Sequence, residues 1–413
     1  MGKNVLVGQS GGPTAVINSS LAGIFQAAQS RGAEHIYGML NGIQGLFEER
    51  YVDLSEIITS TMQIELLKRT PSSFLGSCRY KLPDPEKDEV GFIRLFELFE
   101  RLDIGYFFYI GGNDSMDTIN KLTCYAEKIG SVIRMIGVPK TIDNDLFGTD
   151  HSPGYGSAAK YIATSCMEIY HDTHVYDVGK ITVLEIMGRN AGWLTGASAI
   201  ASYMGAGPDL IYLPEVAFDP EKFLFDVSDI YNRKKTVLVA ASEGIMDKEG
   251  KYMFEYGNSF DSEIDSFGHT QMGGLASKLA GFVNQKTGIS SRGIELSLLQ
   301  RCAAHCASKT DYDESYNAGA AAVRSALTGE TDKMVSFERD MSSGNYKCNI
   351  KLAPLEIVAG KEKTVPISWI NERHNGVTEE FIDYALPLIQ GETELINENG
   401  LPKFAKLKKI VAK

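Results

Sequence analysis

Val132-Ile133-Arg134-Met135-Ile136-Gly137-Val138 runs directly into Pro139-Lys140-Thr141-Ile142-Asp143-Asn144-Asp145. A run dominated by β-branched and apolar side chains reads as a buried strand, and the proline, lysine and paired aspartates behind it read as a polar loop at its end. The same grammar recurs along the chain. Val5-Leu6-Val7 leads into Gln9-Ser10-Gly11-Gly12-Pro13-Thr14, and Tyr106 to Ile110 leads into Gly111-Gly112-Asn113-Asp114-Ser115. Ile181 to Ile186 leads into Met187-Gly188-Arg189, and Thr236 to Ala241 into Ser242-Glu243-Gly244. Helix-length segments separate these units. Apolar strands alternating with helices predict an α/β protein whose parallel sheets are covered on both faces. In such sheets ligands bind beyond the carboxyl ends of the strands, and almost every unusual polar cluster here falls at such an end.

Composition narrows the function. The 413 residues suffice for two or three domains with real cores. A formal net charge of -12 argues against a nucleic-acid partner, which calls for a basic face. An anionic substrate must then be met by local cations. No apolar run approaches the ~20 residues that cross a bilayer, so no membrane partner is expected. The start, Met1 to Leu6, lacks the apolar core of a signal peptide. Gly2 invites a myristoylation reading, but Leu6 stands where that motif wants Ser or Thr. A cytoplasmic protein is the expectation. The six cysteines are scattered without a CxxC pair, and Cys302, His305 and Cys306 lack further ligands nearby. They read as small buried thiols. His171 and His174 read as structural or solvated residues.

Three clusters carry chemistry. Gly11-Gly12 lets backbone N–H groups approach phosphoryl oxygens ahead of a helix N-terminus, although it is neither GxGxxG nor a Walker A loop. Gly111 to Ser115 repeats that pattern with a carboxylate added, as a phosphate loop with a metal would; an Asx-type helix cap is the plain alternative. In Pro139 to Asp145, one carboxylate can act as a base and the other as a metal ligand, while Lys140 supplies a cation. Phosphoryl transfer to an alcohol needs those three parts.

Pro-Lys-Thr-Ile-Asp-Asn-Asp resembles the catalytic segment of phosphofructokinases. Gly-Gly-Asn-Asp-Ser and Gln-Ser-Gly-Gly-Pro resemble their phosphate loops, Gly-Ser-Cys-Arg (76–79) their Gly-Ser-x-Arg, and Met-Gly-Arg (187–189) their sugar-phosphate loop. All stand in the family order, over roughly residues 4–330. The resemblance implies two Rossmann-like domains facing each other across a cleft. It implies Asp143 as the base for the sugar 1-hydroxyl, with Lys140 and Arg189 assisting. Gly12, Arg79, Asp114, Ser115 and Lys140 would bind the phosphoryl donor. Asp145 and Asp114 would hold Mg²⁺, with Asn113 a further candidate. Thr141, Met187, Gly188, Arg189 and Glu243 would line the sugar-phosphate side.

ATP-using relatives carry Gly-Gly-Asp-Gly and Pro-Gly-Thr-Ile-Asp. Here Asp114 and Lys140 replace the two glycines. A carboxylate at 114 fills and charges the space an α-phosphate would need, and an ammonium at 140 can hold the leaving phosphate. Together they resemble the pyrophosphate-dependent branch, with fructose 6-phosphate as acceptor.

The 6-phosphate pocket departs from the family pattern. Phe267-Gly268-His269-Thr270-Gln271-Met272-Gly273-Gly274 mimics the family's Gly-His-x-Gln-Arg-Gly-Gly, but Met272 cannot bind phosphate. A second register pairs Arg292 and Arg301, nine apart, behind a helix at Gly274 to Lys286. There Leu298 replaces a histidine and Lys180 replaces an arginine. The family's equivalents of Lys180 and Arg292 reach a neighbouring subunit's site, which implies a homodimer or homotetramer. The expected domains are 1–150 with parts of 300–350 for the donor, 151–300 for the sugar phosphate, and a C-terminal extension at 351–413 that packs on the core and ends in a solvated, lysine-rich tail. Another acceptor (sedoheptulose 7-phosphate or a polyol) and a non-catalytic regulatory subunit are the alternatives. The retained Asp143, Asp145, Lys140 and Arg189 speak against the latter, and the missing GxGxxG speaks against a dehydrogenase.

Overall fold

The computed structural model describes residues 3–175, 177–256 and 274–412. The Phe267 to Gly273 motif therefore lies outside the described residues. A seven-stranded sheet is formed by β1 (Asn4–Gln9), β2 (Ile36–Met39), β3 (Tyr51–Asp53), β4 (Ile104–Gly111) and β5 (Arg134–Pro139), joined by two late strands. A four-stranded sheet is formed by β6 (Ile181–Ile186), β7 (Leu210–Tyr212), β8 (Val237–Ser242) and β9 (Ser291–Glu295). The late strands of the large sheet are β10 (Lys333–Asp340) and β11 (Lys347–Pro354). Its order is β11-β10-β5-β4-β1-β2-β3, and that of the small sheet is β7-β8-β6-β9. The small sheet is parallel throughout. The large one is parallel at its centre, with antiparallel strands at both edges.

Each sheet is buried on both faces, as its apolar runs require. In β1, Val5 and Val7 face one core while Leu6 faces the other, and Phe108 and Phe107 divide in the same way in β4. In the small sheet, Leu184 and Leu238 point to one core while Val183 and Val237 point to the other. This is the period-2 alternation of a strand, here with apolar residues on both sides. Each fully buried Leu, Ile, Val or Phe contributes on the order of 1.5–3 kcal/mol. The parallel strands put the carboxyl ends of β1, β4 and β5 together, and likewise those of β6, β8 and β9.

The C-terminal segment packs on the core, but its boundary lies elsewhere than expected. The change of texture at residue 351 falls inside β11, which is a strand of the large sheet. The chain then crosses to the other core, where Val365, Ile370, Phe381, Tyr384 and Leu388 are buried beside Leu184 and Trp193. It returns to the first: Val411 bridges Val52, Leu407 packs on the large-sheet core, and the Lys409 ammonium lies 4.9 Å from the Phe74 ring centroid. The tail is thus docked by its interleaved apolar residues. No helix among the described residues is long and apolar enough to cross a membrane.

Candidate active site

The catalytic-type turn begins where β5 ends at Pro139, a residue that could not donate to a further ladder bond. Lys140 N–H donates to Gly111 O at 2.9 Å and Thr141 N–H to Pro153 O at 3.1 Å, which ties the turn to the loop after β4. Asn144 adopts φ 56°, a left-handed conformation that asparagine tolerates better than most residues. Its buried amide donates to Tyr384 Oη at 2.7 Å and accepts from Ser152 N–H at 3.0 Å. Asp143 N–H donates to Thr141 Oγ1 at 3.1 Å. These bonds hold the residue between the two aspartates in place.

Around the turn, six charged groups from both sheets converge. Lys140 is 2% exposed, and its ammonium donates to Gly12 O at 2.5 Å. Burial pushes its pKa down to about 8, opposed by Asp143 and Asp145 and reinforced by Arg301. Burial pushes the Asp143 carboxyl up to about 7, helped by Asp145 and Glu243 and opposed by Lys140 and Arg189. Asp145 is raised chiefly by burial, against its own backbone N–H and the Thr141 hydroxyl. Glu243 is likewise raised by burial, against Gly188 N–H, Arg189 and Arg301. The fields of Glu243 and Arg189 at Asp143 mean that the ends of the small sheet face the end of β5 across the cleft. Crowded carboxylates with raised proton affinity mark a candidate functional site.

On the donor side, Gly11 has φ 75°, and a Cβ there would lie 3.1 Å from the Lys140 ammonium. Only glycine combines that backbone with that clearance. Ser77 Oγ donates to Gly11 O at 2.6 Å, which brings the 76–79 loop alongside; Arg79 in that loop is exposed. Ser115 is buried beneath Gly111, while Asp114 is exposed in the first turn of the helix Asn113–Lys128. Asn113 also holds the C-terminal segment: its side-chain oxygen accepts from Gly360 N–H at 2.8 Å.

On the sugar side, Met187 N–H donates to Gln300 Oε1 at 3.0 Å and Gly188 N–H to Glu243 Oε1 at 3.3 Å. Gly188 has φ 135°, a value that an L side chain would strain. Arg301 lies beyond the carboxyl end of β9, and a Cβ on Gly12 would be 3.7 Å from its Nη1. It therefore stands at the donor loop as well as near Glu243. Arg292 and Lys180 are not brought to this cleft. Arg292 pairs with Thr182 in β6, four residues before Ile186, or ~13 Å from the site end at ~3.3 Å per residue. It donates to Thr182 Oγ1 at 3.2 Å and to Asp172 Oδ2 at 2.8 Å. Lys180 precedes β6 at the same remote end. The nine residues from Arg292 to Arg301 thus span a whole strand, with Arg301 at the cleft and Arg292 at the remote end.

Three residues at the site carried no sequence signal: Glu362, Lys363 and Tyr384. Glu362 accepts from Asn190 Nδ2 at 3.0 and 3.1 Å, and Lys363 N–H donates to Asp145 O at 2.7 Å. Nothing near them in sequence resembles a motif.

A small divalent cation takes one or two carboxylates and completes its shell with phosphate and water, and Asp145 and Asp114 are the hard oxygen donors that the two loops offer it. The raised proton affinity of Asp143 and Asp145 is the strain that such a cation relieves. Among the described residues, His151, Glu314 and Cys348 also lie within 4.8 Å of one another. There, however, His151 is already hydrogen-bonded to Asp150 at 2.8 Å and to Glu314 at 2.7 Å. That group reads as a buried ion-pair network.

Two facing parallel sheets, glycine loops at their ends, and opposed carboxylates and cations define an α/β fold suited to phosphoryl transfer. Comparison with known proteins makes the class specific. A family model described as phosphofructokinase matches residues 4–294, and the chain belongs to that family. It is 42% identical over 411 residues to the pyrophosphate–fructose 6-phosphate 1-phosphotransferase of Halomonas elongata, covering 98% of this chain and 96% of the relative. It is 35% identical over 395 residues to a sulfofructose kinase of Alkalicoccus urumqiensis, covering 94% and 98%. The crystal structure of a pyrophosphate-dependent phosphofructokinase from Marinobacter aquaeolei matches with a TM-score of 0.88 and 39% identity, covering 100% of this chain and 97% of that one.

Proposed function

We propose that this protein moves a phosphoryl group from pyrophosphate to the 1-hydroxyl of fructose 6-phosphate, giving fructose 1,6-bisphosphate and phosphate in a reversible step. The observation that carries the reading is the buried Lys140 ammonium set against Gly11 and Gly12, with the Asp114 carboxylate at the start of the helix behind the second glycine loop.

Asp143 takes the proton of the 1-hydroxyl as the oxygen attacks; a carboxylate near pKa 7 is a strong enough base to share that proton at neutral pH. Arg189 and Lys140 offset the charge that develops on the transferring group and on the leaving phosphate. Gly12, Arg79 and Ser115 bind the donor, and Asp114 rejects a longer polyphosphate. Asp145 and Asp114 would hold Mg²⁺, which when bound supplies neutralisation of the phosphoryl oxygens. Thr141, Met187, Gly188 and Glu243 bind the sugar, with Arg301 on its phosphate.

Lys180 and Arg292 are read as serving a neighbouring subunit. Their place at the far end of the small sheet supports this, as do exposed Val175, Val178, Leu298 and Leu299. A homodimer or homotetramer in the cytoplasm follows. The sulfofructose kinase relative, together with Leu298 where the family has histidine, makes sulfofructose the second acceptor to assay. The test is direct: protein, Mg²⁺, pyrophosphate and each acceptor, with fructose 1,6-bisphosphate read through aldolase and the sulfofructose product by mass spectrometry. No fructose 1,6-bisphosphate refutes the reading.

A further inference from the structure

In the four residues Gly360 to Lys363, the C-terminal segment touches three loops of the site. Gly360 N–H donates to Asn113 Oδ1, Glu362 accepts from Asn190, and Lys363 N–H donates to Asp145 O at 2.7 Å. Residues 360–363 also lie outside the 4–294 span that the family model matches.

Every polar group of Lys363 is used. Its ammonium donates to Asp150 O at 2.6 Å, Thr149 O at 3.3 Å and Asn144 Oδ1 at 3.5 Å, which accounts for all three of its donors. Its carbonyl accepts from Trp193 Nε1 at 2.9 Å, just past the sugar loop, and its ammonium lies 5.1 Å from that ring's centroid. Tyr384 works beside it: its hydroxyl donates to Asp150 O and accepts from Asn144, each at 2.7 Å.

We propose that Lys363 is a positioning residue for phosphoryl transfer, bracing the Asp143–Asp145 turn through Asn144 and the Asp145 carbonyl and locking it to the sugar loop through Trp193. The inference rests on the functional reading above. The hydrogen bonds of Lys363 go to Asn144, to backbone carbonyls and to Trp193, and through them it fixes where the base and its neighbour stand. A displacement of about 1 Å at reacting groups costs on the order of 10²-fold in rate, without weakening ground-state binding to match.

The test is Lys363→Met in the full chain, assayed beside the wild type with pyrophosphate, fructose 6-phosphate and Mg²⁺. Trp193 lies against Lys363 and Trp369 packs edge-on against Trp193, so tryptophan emission reports whether the segment stays docked. Docked emission, with kcat down about 10–100-fold and both KM values within about threefold, supports positioning. A kcat within about twofold of wild type, or raised KM values at unchanged kcat, overturns it. Tyr384→Phe, nearly isosteric, decides the matter should Lys363→Met fail to fold; the same kcat-only loss is expected. An inactive wild type counts against the functional reading, whereas an active wild type with an unaffected variant counts against this inference alone.

Discussion

Lys140→Met isolates the donor side of the site. The substitution nearly keeps length and volume while deleting an ammonium that is 2% exposed and donates to Gly12 O at 2.5 Å. Two effects follow. The donor's phosphates lose a preorganised cation in a water-poor cavity, and removing such a group opposite developing charge costs about 2.7–4 kcal/mol, or about 10²–10³-fold. Asp143 and Asp145 lose the positive charge that holds their proton affinity down, which leaves the base more often protonated at neutral pH. Folding is expected to change little, because deleting a buried ammonium also removes its desolvation cost. Lys140→Arg is no rescue: the ammonium is 2% exposed and already reaches Gly12 O at 2.5 Å, a contact that a longer side chain with a planar guanidinium does not reproduce. The assay is aldolase-coupled turnover at saturating fructose 6-phosphate with pyrophosphate varied, alongside thermal melting. A kcat/KM for pyrophosphate within about threefold of wild type, in a folded variant, would refute the reasoning.

Asp143→Asn should lower kcat by about 10²–10⁴-fold while the melting temperature holds or rises, since one of three crowded carboxylates is gone; near-normal turnover contradicts the base assignment. Asp114→Gly with Lys140→Gly should lose pyrophosphate turnover and gain weak ATP turnover; unchanged use of pyrophosphate sinks the donor account. A last prediction concerns stability. Burial favours the neutral form of Asp150, but hydrogen bonds to His151 and Arg339 hold its pKa down at about 2. A depressed carboxylate stabilises the fold above its ordinary value of about 3.9, and that contribution is lost as pH falls through about 2. Wild type should therefore exceed Asp150→Asn by on the order of 2 kcal/mol at pH 6 in urea unfolding, with the gap closing toward pH 2. A gap that does not change with pH refutes the assignment.

The central strands and the loops after them were legible because each is local. An apolar run followed by glycine, proline or aspartate carries its own signal, and β1, β4, β5, β6 and β8 stand where those runs stand. What was not legible is what distance in sequence hides. Lys363 and Tyr384 meet Asn144 across 219 and 240 residues, and no periodicity announces such a contact. Nor does the phosphate loop around Asn113 announce that its side chain meets Gly360. That Arg292 and Arg301 stand at opposite ends of a strand is also not in their spacing, which does not say which end of a strand a residue occupies. Lys406, Lys408 and Lys409 are exposed, as a solvated run should be, but their charge hid Ala405 and Leu407 between them, which pack on the large-sheet core.

The central claim is that a carboxylate at 114 and an ammonium at 140 admit two linked phosphates and exclude a nucleotide. The most direct measurement is initial-rate turnover of fructose 6-phosphate by the wild-type protein with Mg²⁺ and, in turn, pyrophosphate, ATP and ADP. The account predicts fructose 1,6-bisphosphate from pyrophosphate and none above background from either nucleotide. Turnover with ATP matching or exceeding that with pyrophosphate would contradict it.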